Sequence, residues 1–360
     1  MKIPELGIRD HVQATILLGA GASHGAECFK DSLVRAPLNR DFLSLMQLVQ
    51  HRDPELSRFL KFVREEFGLG HALTMEDCFS RMKALDFYHT NLNHRRGRKT
   101  QKYGDNLAMF VSTTARFFRT VFEGPNRKPR NCKYHEAVAQ ALGRDDSLIS
   151  FNYDCLIDEA LKTTENNVWN PRIGYCLEEE LDGSAKEWAP KKKGVGRRPK
   201  DSIKLLKLHG SLNWQIKDDR IDLRKNPYGV KPVRDRRELI PPVWSKEDYV
   251  AKRDAKSEDV GGQILRLWQH AAKALASSKI LVCVGYSLPD SDHWSEALLR
   301  ESLTSKTSGK LDHVIIVDPD PAVGQKITHL IQEGISSETR IHSLKSIEEL
   351  AKLLKKSHRK

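Results

Sequence analysis

Ala14-Thr15-Ile16-Leu17-Leu18-Gly19-Ala20-Gly21-Ala22-Ser23 decides the fold. The aliphatic run Ala14 to Leu18 reads as a short buried strand, and the glycine turn after it hands the chain to a helix. A nucleotide-binding βα unit begins this way. Glycines let backbone approach a pyrophosphate, and a helix N-terminus offers N–H groups and a positive dipole end to an anion. Gly19, Ala20, Gly21 and Ser23 are therefore the binding candidates of this turn. The next glycine is Gly25, so the spacing is GxGxxxG, one residue off the dinucleotide fingerprint. A tight turn using glycine for steric reasons alone is the competing reading.

Working outward, strand character returns at Ser147 to Phe151, Ile203 to Leu208, Lys279 to Val284 and His313 to Val317, with helical stretches between several of them. From about Asn39 to Leu142 the period is helical: one helix after Asp53 with Pro54 at its first position, one after Thr74, and one from about Asp105 to Phe122. The fold class expected is α/β: a Rossmann-like parallel sheet flanked by helices, with a large all-helical insert after the first βα unit and no zinc ribbon. Residues 1–38 and 143–360 form the discontinuous sheet domain in this reading, and 39–142 the insert. Residues 165–200 are polar and aperiodic and read as an excursion or mobile loop over the sheet; 217–242 reads the same way.

Composition narrows the classes. The hydrophobic fraction of 39% over 360 residues is modest, but it concentrates in the strand runs, so a core exists. No stretch is as long as an apolar membrane span, and MKIPELGIRDHVQ lacks the layout of a signal peptide, so a cytoplasmic location is expected. Cys28, Cys78, Cys132, Cys155, Cys176 and Cys283 are scattered without a CxxC pair, which argues against zinc and against a disulfide framework. The net charge of +12 favours polyanions, and much of it lies in HRRGRKTQK (94–102), NRKPR (126–130) and KKKGVGRRPK (191–200). Flanked by Gly, Pro or Asn, these runs read as solvated loops, with a nucleic-acid surface as the alternative, since charge attracts without selecting.

Four further motifs stand at strand ends. Asn152 and Asp154 follow the second strand, where they can face the glycine turn across the crevice of an open sheet; the alternative is a cap on the helix that continues CLIDEALK. His209, in Leu208-His209-Gly210, ends the third strand, where an imidazole can exchange a proton near neutral pH. Gly285 and Ser287, in Gly285-Tyr286-Ser287-Leu288, follow the most apolar strand and are candidates for phosphate or ribose. Asp318 closes HVIIVD and is placed to hold ribose hydroxyls, although Asp320 and Pro321 beside it read as the cap and first turn of a helix.

Gly-Ala-Gly-x-Ser, Asn-x-Asp, Leu-His-Gly and Gly-x-Ser-Leu, in this order at these strand ends, resemble the sirtuin family, and in particular the sirtuin-like NAD hydrolases of bacterial anti-phage defence. The resemblance covers the sheet-forming segments, about half of the chain. It implies NAD as substrate, with Asn152 positioning the attacking water or ribose, Asp154 on the nicotinamide side and His209 serving the ribose hydroxyls. Gly19, Gly21, Ser23, Gly285 and Ser287 fall on dinucleotide-binding positions. It also implies a homo-oligomer and, as for short members of this group, a HerA-type hexameric ATPase as partner. The apolar faces Leu43 to Leu48 and Phe110 to Phe122, more than a small lobe needs, agree with a partner unless they pack on each other.

Two departures weigh against protein deacylation, the runner-up activity. Deacetylating sirtuins carry two CxxC pairs after the His-Gly motif, whereas only Cys283 follows Gly210 here. They also carry Pro-Asp-Phe-Arg after the glycine turn, where this chain has HGAECFKDSLVRAPLNRDF. A third class, a nucleotide-binding module associated with nucleic acid, rests on the charge alone.

Overall fold

The aliphatic runs become parallel strands because they are apolar on both faces, a pattern that only a sheet covered by helices on both sides can bury. The computed structural model describes residues 1–8, 12–30, 34–68, 73–88, 98–124, 129–164, 169–177, 183–190, 202–228, 259–305 and 309–357. Strands β1 (Ala14–Leu18), β2 (Ser147–Ser150), β3 (Lys204–Lys207), β6 (Ile280–Val284), β7 (His313–Val317) and β8 (Arg340–Leu344) form one sheet in the order β3-β2-β1-β6-β7-β8. Every pairing in it is parallel. Every residue of β1, β2, β6 and β7 is buried. This is the α/β Rossmann-like sheet expected from the sequence.

Around it lie α1 (Ala20–His24), α2 (Phe42–Val49), α3 (Pro54–Phe67), α4 (Met75–Phe87), α5 (Arg98–Phe122), α6 (Lys133–Ala141), α7 (Leu156–Thr163) and α8 (Pro171–Gly174). The set continues with α9 (Val260–Ser277), α10 (His293–Thr304), α11 (Pro321–Leu330) and α12 (Ile347–Ser357). Helices α3 and α4 start where their caps place them. Asp53 accepts from Glu55 N at the head of α3, with Pro54 in the first turn, and Thr74 forms a capping box with Asp77 at the head of α4. Asp53 also takes Arg116 and Arg119 of α5 at 3.0 and 2.7 Å, which ties α3 to α5.

The structure decides one open alternative and departs from the sequence expectation in four further places. The apolar faces of α2 and α5 are consumed internally: Phe110 packs at 5.5 to 6.2 Å from Phe42, Phe59 and Phe79, and Phe117 at 5.4 Å from Phe42. Leu48 alone of Leu43 to Leu48 is a strongly exposed large apolar residue, so these faces are not a surplus awaiting a partner. Within 165–200 the described residues are packed, not a mobile loop. Trp169, Tyr175 and Trp188 are buried, and Trp169 Nε1 donates to Trp188 O at 2.9 Å. Residues 165–168, 178–182 and 191–200, including the basic run KKKGVGRRPK, lie outside the described residues.

The segment 217–242 begins inside a hairpin, β4 (Trp214–Lys217) and β5 (Arg220–Leu223), turned by Asp218 and Asp219 at φ 50° and 59°, the left-handed geometry of a two-residue turn. Its part 229–242 lies outside the described residues. Residues 98–102 of the basic run 94–102 belong to α5, not a loop, and 94–97 and 126–128 are not described. Strand β8, which the sequence reading lacked, is a mostly exposed polar edge. Among the described residues no helix is long and apolar enough to cross a membrane.

Beneath the carboxyl ends of β2 and β3 lies a buried charged pair. Lys207 Nζ reaches Asp158 Oδ2 at 3.0 Å, both side chains fully buried, and Asp158 also accepts from Tyr175 OH. Burial opposes the Lys207 charge, but Asp158, with Cys155 and Asp154 nearby, outweighs that and raises its pKa overall. Removing one partner strands the other in a dry interior. Asp158→Ala is expected to lower unfolding free energy by about 3–5 kcal/mol, read from urea midpoints. The Asp158→Leu/Lys207→Met pair should lose much less, and equal losses would contradict this account.

Candidate functional site

With the β4–β5 hairpin set aside, the sheet has the doubly wound order 3-2-1-4-5-6, and its order reverses between β1 and β6. There the loops following the two strands touch, backbone on backbone. Gly19 N donates to Val284 O at 3.0 Å and Gly21 N to Gly285 O at 2.8 Å. A Cβ on Gly285, whose φ is +58°, would meet Ala22 N at 2.3 Å; one on Gly19 would meet Gly285 O at 2.4 Å. The glycines are thus needed for this contact. The N–H groups of Gly19 and Gly21 are committed to it rather than free for an anion, and α1 is a single short turn. Ala20 and Ser23 are the residues of this stretch that face the cavity described next.

Asn152 and Asp154 arrive from the end of β2 and lock onto the β1 turn. Asn152 Nδ2 donates to Gly19 O at 2.8 Å and to Ser23 Oγ at 3.0 Å, and Ser23 Oγ donates to Asp154 Oδ2 at 2.6 Å. Asp154 Oδ1 accepts from Leu156 N at 3.0 Å, so the carboxylate both starts α7 and joins the site. Lys207 Nζ donates to Asp154 O, which sets the backbone here on the buried pair below.

His209 follows β3, buried, with Nε2 3.1 Å from Asp292 Oδ2. Asp292 also accepts from Ser295 Oγ at 2.6 Å and from Tyr286 OH at 3.1 Å, which holds its carboxylate in place to orient the imidazole. Phe151 stacks on Tyr286 at 4.0 Å and meets His209 edge-on at 5.2 Å.

These groups converge on a cavity of about 90 Å³ lined by Ser23, Phe151, Asn152, Asp154 and His209 from the sheet side and by Phe42, Met75, Glu76 and Phe118 from the helices between β1 and β2. Two residues here were missed in the sequence. Asp292 looks like an ordinary helix cap, which it also is. Glu76 lies in the first turn of α4, where an acid is unremarkable. Burial, with Asp292 nearby, pushes the Glu76 carboxyl up to about 7 against the opposing hydrogen bond from Ser291.

Five expected site residues are not among those lining the cavity: Gly19, Gly21 and Gly285, which make the loop contact, and Ser287 and Asp318. Ser287 is exposed beyond the Gly285 turn. Asp318 Oδ1 accepts from Asp320 N at 2.9 Å while Asp320 caps α11 through Ala322 N, so Asp318 serves a local turn. The cysteines are free thiols, and folding brings two of them together: Cys28 and nearby His135 lower the Cys132 pKa against the burial that raises it. Among the described residues no group of three or more His, Cys, Asp or Glu is arranged to hold a metal ion.

The chemistry available is therefore that of a carboxamide, an oriented imidazole and carboxylates around a largely apolar chamber: fixing a polar ligand, moving one proton and excluding bulk water. The backbone contact beside the chamber is testable. Gly285→Ala should destabilise the protein by more than about 1 kcal/mol, since its φ is left-handed and its Cβ has no room. Gly324→Ala, where the new Cβ would meet only Ile316 at 3.8 Å inside α11, should be neutral or stabilising. Equal melting temperatures for the two variants would contradict this.

The model of the SIR2-like domain family matches residues 146–337, more than half of the chain. No curated protein matches it. Among solved structures, the chain is similar to one from work on the mechanism and regulation of Sir2 enzymes, with 14% identity, 97% of this chain and 93% of that chain covered, and a TM-score of 0.39. The family match takes in Asn152, Asp154 and His209, which line the cavity, and Gly285 of the loop contact beside it. The chain belongs to the SIR2-like domain family.

Proposed function

We propose that this chain is an NAD+ hydrolase that cleaves the nicotinamide–ribose bond and releases nicotinamide and ADP-ribose. The observation that carries the reading is the convergence of Asn152, Asp154 and His209, from the ends of β2 and β3, on one cavity beside the β1 turn. Nicotinamide leaves as a neutral molecule, so no strong acid is required, and the transition state gathers positive charge on the ribose as in glycoside cleavage. Asn152 has both Nδ2 hydrogens engaged and so offers Oδ1 to orient a water or a ribose hydroxyl. Asp154, tethered by Ser23 and Leu156, supplies fixed negative charge on the nicotinamide side. His209, oriented by Asp292, serves the ribose hydroxyls as acceptor or relay. The apolar walls from Phe42, Met75, Phe118 and Phe151 restrict water to what the reaction consumes.

Further parts of the proposal carry over from the sequence: from the resemblance, depletion of NAD in anti-phage defence, a homo-oligomer with a HerA-type hexameric ATPase as partner, and dinucleotide contacts at Gly19, Gly21, Gly285 and Ser287; from the residues themselves, a cytoplasmic location and a ribose contact at Asp318. The division into 1–38 with 143–360 around an inserted 39–142 belongs with them.

Asn152→Ala is expected to abolish nicotinamide release while keeping the fold and much of the NAD affinity, because the group acts mainly in the transition state. His209→Ala should also impair cleavage, and the double variant should be little worse than the more damaging single one if the two act as a unit. Nicotinamide release, NAD calorimetry and melting temperature on the same preparations decide it. Normal turnover with a melting point several degrees lower would make Asn152 structural. Turnover only with an acyl-lysine peptide would replace hydrolysis by deacylation.

A further inference from the structure

We propose that Glu76, carried on α4 from the helices between β1 and β2, is the general base that takes the proton of the attacking water; this rests on the NAD-cleavage reading above. In that step the water oxygen bonds to C1′ of the ribose. The C1′–N bond breaks with its electron pair passing to the nicotinamide ring, and the water proton moves to the Glu76 carboxylate, which later releases it to solvent. Oxidation states do not change and no co-reactant is needed.

The geometry singles out Glu76. Asn152 can point a water but cannot take its proton, and Asp154 already accepts from Ser23 Oγ and Leu156 N. His209 is bound to Asp292. Glu76 lines the same cavity, is buried, and is aimed by Ser291 Oγ, which donates to Oε2, while Asn39 Oδ1 accepts from its backbone N. Among the described residues it forms no ion pair. A buried carboxylate without a cation is costly to keep for structure alone, since a glutamine would accept the same serine hydrogen bond without the charge.

Its surroundings also suit the task. Burial and the nearby Asp292 and Asp77 carboxylates raise its pKa, and Ser291 and Asn39 hold it down. Among the described residues, the other charged groups on α4, on the elements packed against it or facing the cavity are Arg81 and Lys83 on α4, Arg40 and Asp41 on the turn Asn39–Asp41, Arg116 and Arg119 on α5, both engaged by Asp53, and Asp154 and His209. A base must be deprotonated to accept, so turnover should fall as pH drops through the pKa of Glu76, near neutrality.

The test measures nicotinamide release across pH, NAD binding by calorimetry and melting temperature for the wild-type chain, Glu76→Gln and Ser291→Ala. Glu76→Gln keeps the acceptor for Ser291, so loss of a structural clasp does not enter. The expected result is a kcat roughly 10²–10⁴-fold lower, NAD affinity within about threefold, an unchanged melting temperature and no acid limb near neutrality. Ser291→Ala removes a hydrogen bond that favours the charged carboxylate, so its acid limb should move to higher pH. Glu76→Gln with turnover and acid limb close to wild type would overturn the assignment and leave the NAD reading standing. A wild-type chain that binds NAD and releases no nicotinamide would overturn both.

Discussion

The contact between the loops after β1 and β6 is the constraint on which the rest of the site depends. Two backbones meet there without side chains between them, joined by Gly21 N to Gly285 O, and no Cβ fits on Gly19, Gly21 or Gly285 without striking the facing loop. The chain after β1 must therefore turn at once into α1, which brings Ser23 against Asn152 and Asp154. In an open parallel sheet a crevice forms where the strand order reverses. Here the glycines close that crevice from one side, and the chamber opens beside it, over the ends of β2 and β3.

Below the chamber the strand ends are anchored by buried polar groups. Lys207, Asp158, Tyr175 and Asn213 form a connected set, and Lys207 reaches up to the carbonyl of Asp154. Charges in a dry interior are tolerated only when each has a partner, so this set has few arrangements of comparable energy. The consequence is rigidity under Asp154 and Asn152. Asp292 does the same for His209 from the opposite strand end, with Tyr286 and Ser295 fixing the carboxylate.

The helices between β1 and β2 complete the chamber. Their phenylalanines pack mainly on one another, which makes a firm block, and Phe42, Met75, Glu76 and Phe118 face the sheet side from it. The hydrogen bond from Ser291 to Glu76 joins this block to the loop after β6. Burial without a cation raises the Glu76 carboxyl, so the wall that dries the chamber also creates its titrating group.

Local patterns in the sequence determined much of this protein. Both-face apolar runs marked five of the six sheet strands, and Asp53-Pro54 and Thr74 marked helix starts, because burial and capping act within a few residues of chain. The positions of Asn152, Asp154 and His209 at strand ends were legible for the same reason. Tertiary structure decided what depends on groups far apart in the chain. Strand β8 is polar along an exposed edge, and the Trp214–Leu223 hairpin carries too short a pattern to stand out, so neither announced itself. That Asn152 is tied to the β1 turn is shown only by its hydrogen bond to Gly19, 133 positions away. Asp292 carries only the signature of a helix cap and Glu76 that of a first-turn acid, and nothing local distinguishes an acid facing solvent from one that holds His209 or lines the chamber. That distinction arises only when the sheet and the helices close on each other and remove the water between them.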